Sequence, residues 1–120
     1  MRVGILTGGG DCPGLNAAIR AVVKKGKKYY GMSFVGIRDG WKGIIEADGF
    51  DLGDSDISGI LVKGGTILGS SRTNLLKMQD GIEKAEAGIK KLKLDALVTI
   101  GGDDTLGVAA KLAEHGFPVV

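Results

Sequence analysis

Short apolar runs alternate along this chain with longer segments of helical periodicity. The runs at residues 3–6, 34–37 and 96–100 are rich in Val, Ile and Leu and too short for helices, so they predict buried strands. Helical patterns begin at residue 16 and cover about 77–91 and 105–115, and a last apolar run at 117–120 starts a further strand. Strands that alternate with helices predict an α/β fold. We expect a doubly wound, mostly parallel, Rossmann-like sheet with helices on both faces.

The segments between these elements are harder to assign. Residues 38–43 read as a loop around Trp41, which either stacks near a bound ligand or only packs the loop. Asp54 is a candidate N-cap for a short helix that runs through Leu61. Gly116 follows the last helical pattern at the position where glycine commonly ends a helix.

Composition excludes several classes of protein. The chain has 22 glycines in 120 residues, but no Gly-X-Y repeat of the collagen type. Its single cysteine excludes an internal disulfide framework, and no Cys/His cluster offers a zinc site. Each half of the chain carries 8 basic and 7 acidic side chains, which argues against nucleic acid or a membrane surface as the main partner. The opening apolar run is too short for a signal peptide or a membrane span, so we expect a cytoplasmic protein.

Three glycine-rich loops are the candidate sites of chemistry. The first, at residues 8–14, separates the first strand from the first helix. In a doubly wound sheet, ligands bind at the carboxyl ends of the strands, and glycines there let backbone N–H groups face an anion. Three consecutive glycines exceed what a tight turn needs, which favours phosphate binding. No lysine completes a P-loop, and Pro13 stands where a dinucleotide fingerprint needs its last glycine, so Asp39 is read as an ordinary loop residue.

The other two loops add charged side chains. In the second loop, residues 64–72, glycines and small hydroxyl residues precede Arg72. The guanidinium of Arg72 either binds a phosphate through two hydrogen bonds or is solvated. Residues 101–105 follow a very apolar strand. Asp104 there could simply cap the next helix, with Asp103 as a solvated neighbour. Asp103 is also a good candidate ligand for Mg²⁺, which often takes only one or two protein carboxylates together with substrate phosphates.

Taken together, the loops resemble signatures of the phosphofructokinase family. GGDCPGLN at residues 9–16 resembles the family's opening GGDxPGxN, GGTILGSSR at 64–72 its GGTxLGSxR, and GGDDT at 101–105 its GGD[GD][ST] loop. The order and spacing match over essentially the whole chain. The third motif alone also occurs in NAD kinases and diacylglycerol kinases, but the first two do not belong to that pattern.

The resemblance implies phosphorylation of the 1-hydroxyl of fructose 6-phosphate, with Mg²⁺ as cofactor. It places Asp103 at the metal and Arg72 and Asp104 in catalytic positions, Arg72 stabilising charge on the transferred phosphoryl group. It places the phosphoryl donor against a set of residues from all three loops: Gly9, Gly10, Arg72, Thr73, Gly102, Asp103, Asp104 and Thr105.

Asp104 bears on the identity of the donor. Members of the family that use ATP typically have glycine at this position, and members that use pyrophosphate typically have aspartate. A carboxylate there repels the α-phosphate of a nucleotide, whereas pyrophosphate has no third phosphate to repel. We therefore expect pyrophosphate as donor. The alternatives are an ATP-dependent 6-phosphofructokinase and, in a different class, an inactive phosphate-binding fragment or interaction module.

The resemblance covers only the N-terminal part of such an enzyme. A buried parallel strand is an improbable end for a complete protein, so we expect residues 1–120 to be the donor-binding portion of a larger α/β kinase, truncated at residue 120. The family's catalytic base and most of its fructose 6-phosphate pocket lie beyond that point. The resemblance further implies a homo-oligomer, a dimer or a tetramer, without allosteric regulation.

Overall fold

The chain folds into one sheet with helices packed against it. A computed structural model describes residues 1–8, 15–53, 68 and 80–119, with the backbone alone at residues 15, 16, 103 and 104. The described elements are, in chain order, β1 (Arg2–Thr7), α1 (Leu15–Tyr30), β2 (Ser33–Ile37), α2 (Trp41–Glu46), β3 (Gly49–Asp51), α3 (Gly81–Leu92), β4 (Ala96–Ile100) and α4 (Asp103–Glu114). The three longer predicted strands and three predicted helices are therefore present.

The sheet has the strand order β3-β2-β1-β4. β1 lies in the centre and pairs in parallel with both neighbours, Val3 standing opposite Phe34 of β2 and Ala96 of β4. β3 pairs antiparallel with β2 at one edge. The chain thus moves from β1 to one side of the sheet and later returns to place β4 on the other side. This reversal is the mark of a doubly wound sheet and confirms the predicted fold class.

Apolar side chains fill both faces of the sheet. One face packs against α2, α3 and α4, and its core includes Leu6, Ile37 and Leu97 from the strands. The other packs against α1, where Ile5 and Phe34 are buried together with two residues of that helix, Ile19 and Val23. Strands buried on both faces show near-continuous apolar runs instead of an alternating pattern, which is why β1 and β4 are recognisable in the sequence.

Coverage of the α1 face is less complete at β4. Ala96, Val98 and Ile100 point to this face and are only half-buried. An apolar groove of about 490 Å³ lies between β4 and α1, with Val22 and Tyr30 among its lining residues. The opposite face of β4 is closed by α4, so the two faces of this strand differ in exposure.

Several predicted boundaries were wrong. Residues 38–43 were expected to form a loop, but α2 already begins at Trp41, directly after a turn in which Gly40 has φ 61°. The three residues of β3 were not predicted at all. α4 begins at Asp103, two residues before the predicted start, and α3 begins at Gly81 because Asp80 adopts a left-handed conformation.

Other predictions are confirmed in part or lie outside the described residues. Gly116 follows α4 with φ 90° and ends that helix as expected. Of the strand predicted at 117–120, Val119 forms a parallel bridge to Leu97. The short helix predicted from Asp54 to Leu61 and residues 77–79 of the helix predicted at 77–91 fall outside the described part of the chain.

Trp41 is a core residue. Its side chain is only 3% exposed and belongs to the cluster that includes Ile44 and Ala85. Stacking on a ligand would require an exposed ring face, so the structure favours the packing role over the ligand role. The indole Nε1 has no hydrogen-bond partner among the described residues, although it is buried.

We expect Trp41→Phe to be far less harmful than Trp41→Ala. Phenylalanine fills most of the same space and removes a buried donor whose desolvation costs about 1–3 kcal/mol when it is unpaired. It should therefore change the free energy of unfolding by less than about 1.5 kcal/mol, against about 3–5 kcal/mol for alanine. Denaturant unfolding of the three proteins measures both differences. A loss for phenylalanine as large as that for alanine would contradict the assignment of Nε1 as unpartnered.

Candidate functional site at the ends of β1 and β4

The point at which the strand order reverses lies between β1 and β4. In doubly wound sheets, the loops that leave the carboxyl ends of such neighbouring strands separate to opposite faces and leave a crevice between them. Here Thr7 stands opposite Ile100, and the pairing extends one residue further because Gly8 N–H donates to the Ile100 carbonyl at 2.9 Å. The first and third predicted loops therefore start side by side.

The Thr105 side chain lies between Gly8 and Gly101, the residues at which these two loops start. Its side chain is only 5% exposed. A Cβ atom on Gly8 would overlap Thr105 Oγ1 and lie 3.0 Å from its Cγ2. A Cβ atom on Gly101 would lie 2.7 Å from the Gly8 carbonyl oxygen and 3.0 Å from Thr105 Oγ1. Both glycines are thus required by close packing at the base of the crevice.

The first turn of α4 faces the same end of the sheet. Gly102 is the N-cap, has extended backbone angles and supplies no side-chain cap, and its carbonyl accepts the first helical hydrogen bond, from Leu106 N–H at 3.0 Å. The backbone N–H groups of the three preceding helical residues have no acceptor within the helix. A cap without a side chain leaves these N–H groups and the positive end of the helix dipole to any anion that approaches.

The predicted site residues divide into two groups. Gly102 and Thr105 are described fully, and the backbone places Asp103 and Asp104 at the first and second positions of α4. These four residues form one continuous segment at the carboxyl end of β4. Four other predicted site residues lie outside the described part of the chain: Gly9, Gly10, Arg72 and Thr73.

Two alternative sequence interpretations can now be compared with the structure. Asp104 does not cap α4, because Gly102 is the N-cap and Asp104 lies inside the first turn. Asp39 is exposed in the turn between β2 and α2 with φ 58°, a conformation typical of turn residues, and its N–H donates to the Leu68 carbonyl. Its interpretation as an ordinary loop residue therefore agrees with its conformation.

The described residues contain no group of three or more His, Cys, Asp or Glu side chains that could hold a metal ion. Within the same part of the chain, no helix is both long and apolar enough to cross a membrane.

Sequence reasoning did not assign a role to Gly8 or Gly101. Both stood in glycine-rich loops, but only the residues after them were assigned to the site. The available signal was the run of glycines itself, which is longer than a turn needs. The reason for glycine at position 8 is a contact with a residue 97 positions later, and that contact depends on β1 and β4 being neighbours.

The chain is similar to known proteins over its whole length. Residues 2–120 match the family described as phosphofructokinase. The chain is 59% identical to a protein of Streptomyces coelicolor named pyrophosphate–fructose 6-phosphate 1-phosphotransferase, and 49% identical to an ATP-dependent 6-phosphofructokinase 3 of the same organism. Both alignments cover 100% of this chain and 35% of the relative, so the chain spans about a third of their length.

The fold has a solved counterpart. A phosphofructokinase structure from Saccharomyces cerevisiae superposes with a TM-score of 0.85 at 31% sequence identity, over 95% of this chain and 15% of the yeast chain. The family match extends from the first strand to the last described residues and includes all three glycine-rich loops. The chain therefore belongs to the phosphofructokinase family.

Proposed function

We propose that the complete protein carrying this chain transfers a phosphoryl group from pyrophosphate to the 1-hydroxyl of fructose 6-phosphate. The observation that carries the choice of donor is an aspartate at position 104, in the first turn of α4, beside the crevice between β1 and β4. The names of the more similar relatives, at 55–59% identity, support the same donor.

The first turn of α4 is the anchor for the donor phosphates. Its N–H groups point out of the helix, and Gly102 carries no side chain that would keep a phosphate away from them. Gly9 and Gly10 would add backbone N–H groups from the first loop, while Arg72 and Thr73 would close the site from the second. Direct phosphoryl transfer depends on such positioning and on charge neutralisation more than on covalent help from the protein.

A magnesium ion fits the chemistry of this segment. The Asp103 carboxylate at the start of α4 gains from the helix dipole but would repel a phosphate, so a cation is needed between this carboxylate and the donor. Mg²⁺ commonly takes one or two carboxylates together with substrate phosphates and water, which suits an aspartate next to a phosphate-binding helix terminus. Asp103 would hold the ion, which when bound neutralises charge on the donor.

Asp104 would select the donor by repulsion. Two like charges about 4 Å apart at an effective dielectric near 20 interact unfavourably by about 4 kcal/mol, which corresponds to roughly a thousandfold in binding. The α-phosphate of ATP would meet this penalty and pyrophosphate would not.

An ATP-dependent 6-phosphofructokinase is the second candidate, because the relative with that name is 49% identical to this chain. We further propose a homo-oligomer and a sugar-phosphate site built from residues beyond this chain.

Phosphorus NMR of the complete protein tests the reaction itself. With pyrophosphate, fructose 6-phosphate and Mg²⁺, we expect the pyrophosphate signal to fall while inorganic phosphate and a new phosphate ester coupled to the C1 protons of the sugar rise together. Conversion of pyrophosphate to inorganic phosphate without a new ester would indicate a hydrolase and contradict the proposal. An ester that forms only when ATP replaces pyrophosphate would support the second candidate.

We expect Asp103→Ala to lower kcat/KM by at least about 100-fold, because charge neutralisation by a metal contributes several kcal/mol to such a reaction. The dependence of the remaining rate on Mg²⁺ concentration should also be lost. Glu114→Ala is the matched control, since Glu114 lies at the other end of α4 in an exposed ion pair with Lys111 at 3.4 Å. Full activity and an unchanged magnesium titration in Asp103→Ala would remove this residue from the metal site.

A further inference from the structure

Buried polar side chains are concentrated at the proposed site. Among the described residues, the buried polar side chains are Thr7, Thr99 and Thr105. The first two lie at the carboxyl ends of β1 and β4, and the third lies in the first turn of α4. The Thr105 side chain lies against two separate segments, at Gly8 and at Gly101.

We propose that Thr105 is a positioning residue that sets the distance between Gly8, which directly follows β1, and the N-terminus of α4. This inference rests on the proposed function. The side chain is 5% exposed, so most of its surface faces protein. Its Oγ1 and Cγ2 lie against Gly8 so closely that a methyl group on that glycine has no room. Thr105 acts on the donor through Gly8, because the contact between these two residues fixes the width of the crevice at its base.

The shape of the Thr105 side chain carries this role. The branched Cβ places one atom against both Gly8 and Gly101, and the Cγ2 methyl fills the remaining space next to Gly8. The loops on either side are anchored by the hydrogen bond from Gly8 N–H to the Ile100 carbonyl. A smaller side chain would leave a void beside Gly8, and α4 would shift toward Gly8 because packed interiors relax part of the way into such a void.

The inference has a geometric consequence for the donor. Gly8 follows β1 and Thr105 lies in the first turn of α4, and the close packing of these two residues helps to set the separation of the two elements. A displacement of about 1 Å in such a site can reduce the rate by about 100-fold. The effect should fall on the donor, because the fructose 6-phosphate pocket is proposed to lie in other parts of the protein.

Four variants of the complete protein test this role: Thr105→Ala, Thr105→Val, Thr105→Ser and Gly8→Ala. We expect Thr105→Ala to raise the KM for pyrophosphate about 10- to 100-fold while the KM for fructose 6-phosphate stays within about twofold. Thr105→Val keeps the branched shape and should rescue most of that loss, with Thr105→Ser intermediate. Gly8→Ala should also weaken donor binding, and combination with Thr105→Ala should recover part of the loss because it removes the overlapping atoms.

The outcomes separate the inference from the proposed function. If Thr105→Ala lowers the thermal unfolding midpoint but leaves both KM values unchanged, the residue is merely structural and the inference is wrong. If serine preserves the donor KM while valine behaves like alanine, the hydroxyl contacts the donor directly and the inference is again wrong. Absence of turnover by the parent protein with either donor would reject the proposed function instead. In that case, recovery of the unfolding midpoint in the double variant would still report the Gly8–Thr105 contact.

Discussion

Replacing Asp104 with glycine is expected to raise the ratio of kcat/KM for ATP to kcat/KM for pyrophosphate by about a thousandfold. The substitution removes a negative charge from the second position of α4, where a nucleotide α-phosphate would approach the backbone. The expected size follows from about 4 kcal/mol of repulsion between two charges roughly 4 Å apart in a site of intermediate dielectric. Steady-state kinetics with each donor, at saturating fructose 6-phosphate, measure the ratio.

Asp104→Asn separates charge from volume in this experiment. It keeps nearly the same side-chain size, so a gain toward ATP in the asparagine variant would assign the selection to charge, and a gain in glycine alone would assign it to space. Both variants lose a carboxylate near the helix N-terminus, which should cost about 0.3–1 kcal/mol of stability. No change in kcat/KM for either donor in Asp104→Gly would contradict the role given to this residue.

Serine at the neighbouring positions 101 and 102 should affect stability differently: at 102 it should lower activity without lowering stability, and at 101 it should destabilise the fold. Gly102 has φ −87°, no described atom lies within 4 Å of the place that a Cβ on this residue would take, and serine is a preferred N-cap residue. Gly102→Ser should therefore fold with equal or higher stability. It should nevertheless lose about 100-fold in kcat/KM for pyrophosphate, because the new side chain stands where the donor phosphates are proposed to reach the helix.

Gly101→Ser provides the matched comparison. Its Cβ would lie 2.7 Å from the Gly8 carbonyl oxygen, a backbone atom that cannot rotate away. Overpacking of this kind should cost about 1–3 kcal/mol in the free energy of unfolding. Thermal unfolding and donor kinetics of both variants measure the two effects. Wild-type kcat/KM in Gly102→Ser would show that the donor does not approach this cap.

The elements that could be predicted from the sequence are those with a strong local pattern. β1 and β4 are uninterrupted apolar runs, and α3 carries Ala85 and Ile89 on its buried face at helical spacing. α2 has only six residues and follows directly from a turn, so it has too few periodic positions to stand out. β3 is three residues long and is defined by its pairing with β2, in which Val35 stands opposite Asp51. That pairing is a tertiary contact that local sequence does not encode.

The candidate site could be placed from the sequence, but its internal contacts could not. Glycine loops after apolar strands indicated the carboxyl end of a parallel sheet, and in the structure the first and third of them start side by side at Gly8 and Gly101. The burial of Thr105 against Gly8 depends on strand order, since it joins residues from opposite ends of the chain. Asp104 as N-cap was one of two alternatives because aspartate is a good capping residue by type, but Gly102 takes the N-cap position without a side-chain cap.

The central claim is that this chain forms the donor site of a pyrophosphate-dependent phosphofructokinase. Its most direct test is a comparison of kcat/KM for pyrophosphate and for ATP on one preparation of the complete protein, with fructose 6-phosphate and Mg²⁺ present. We expect turnover with pyrophosphate and a value for ATP lower by about a thousandfold. Turnover with ATP alone would contradict the claim and would mean that the Asp104 carboxylate does not face the nucleotide.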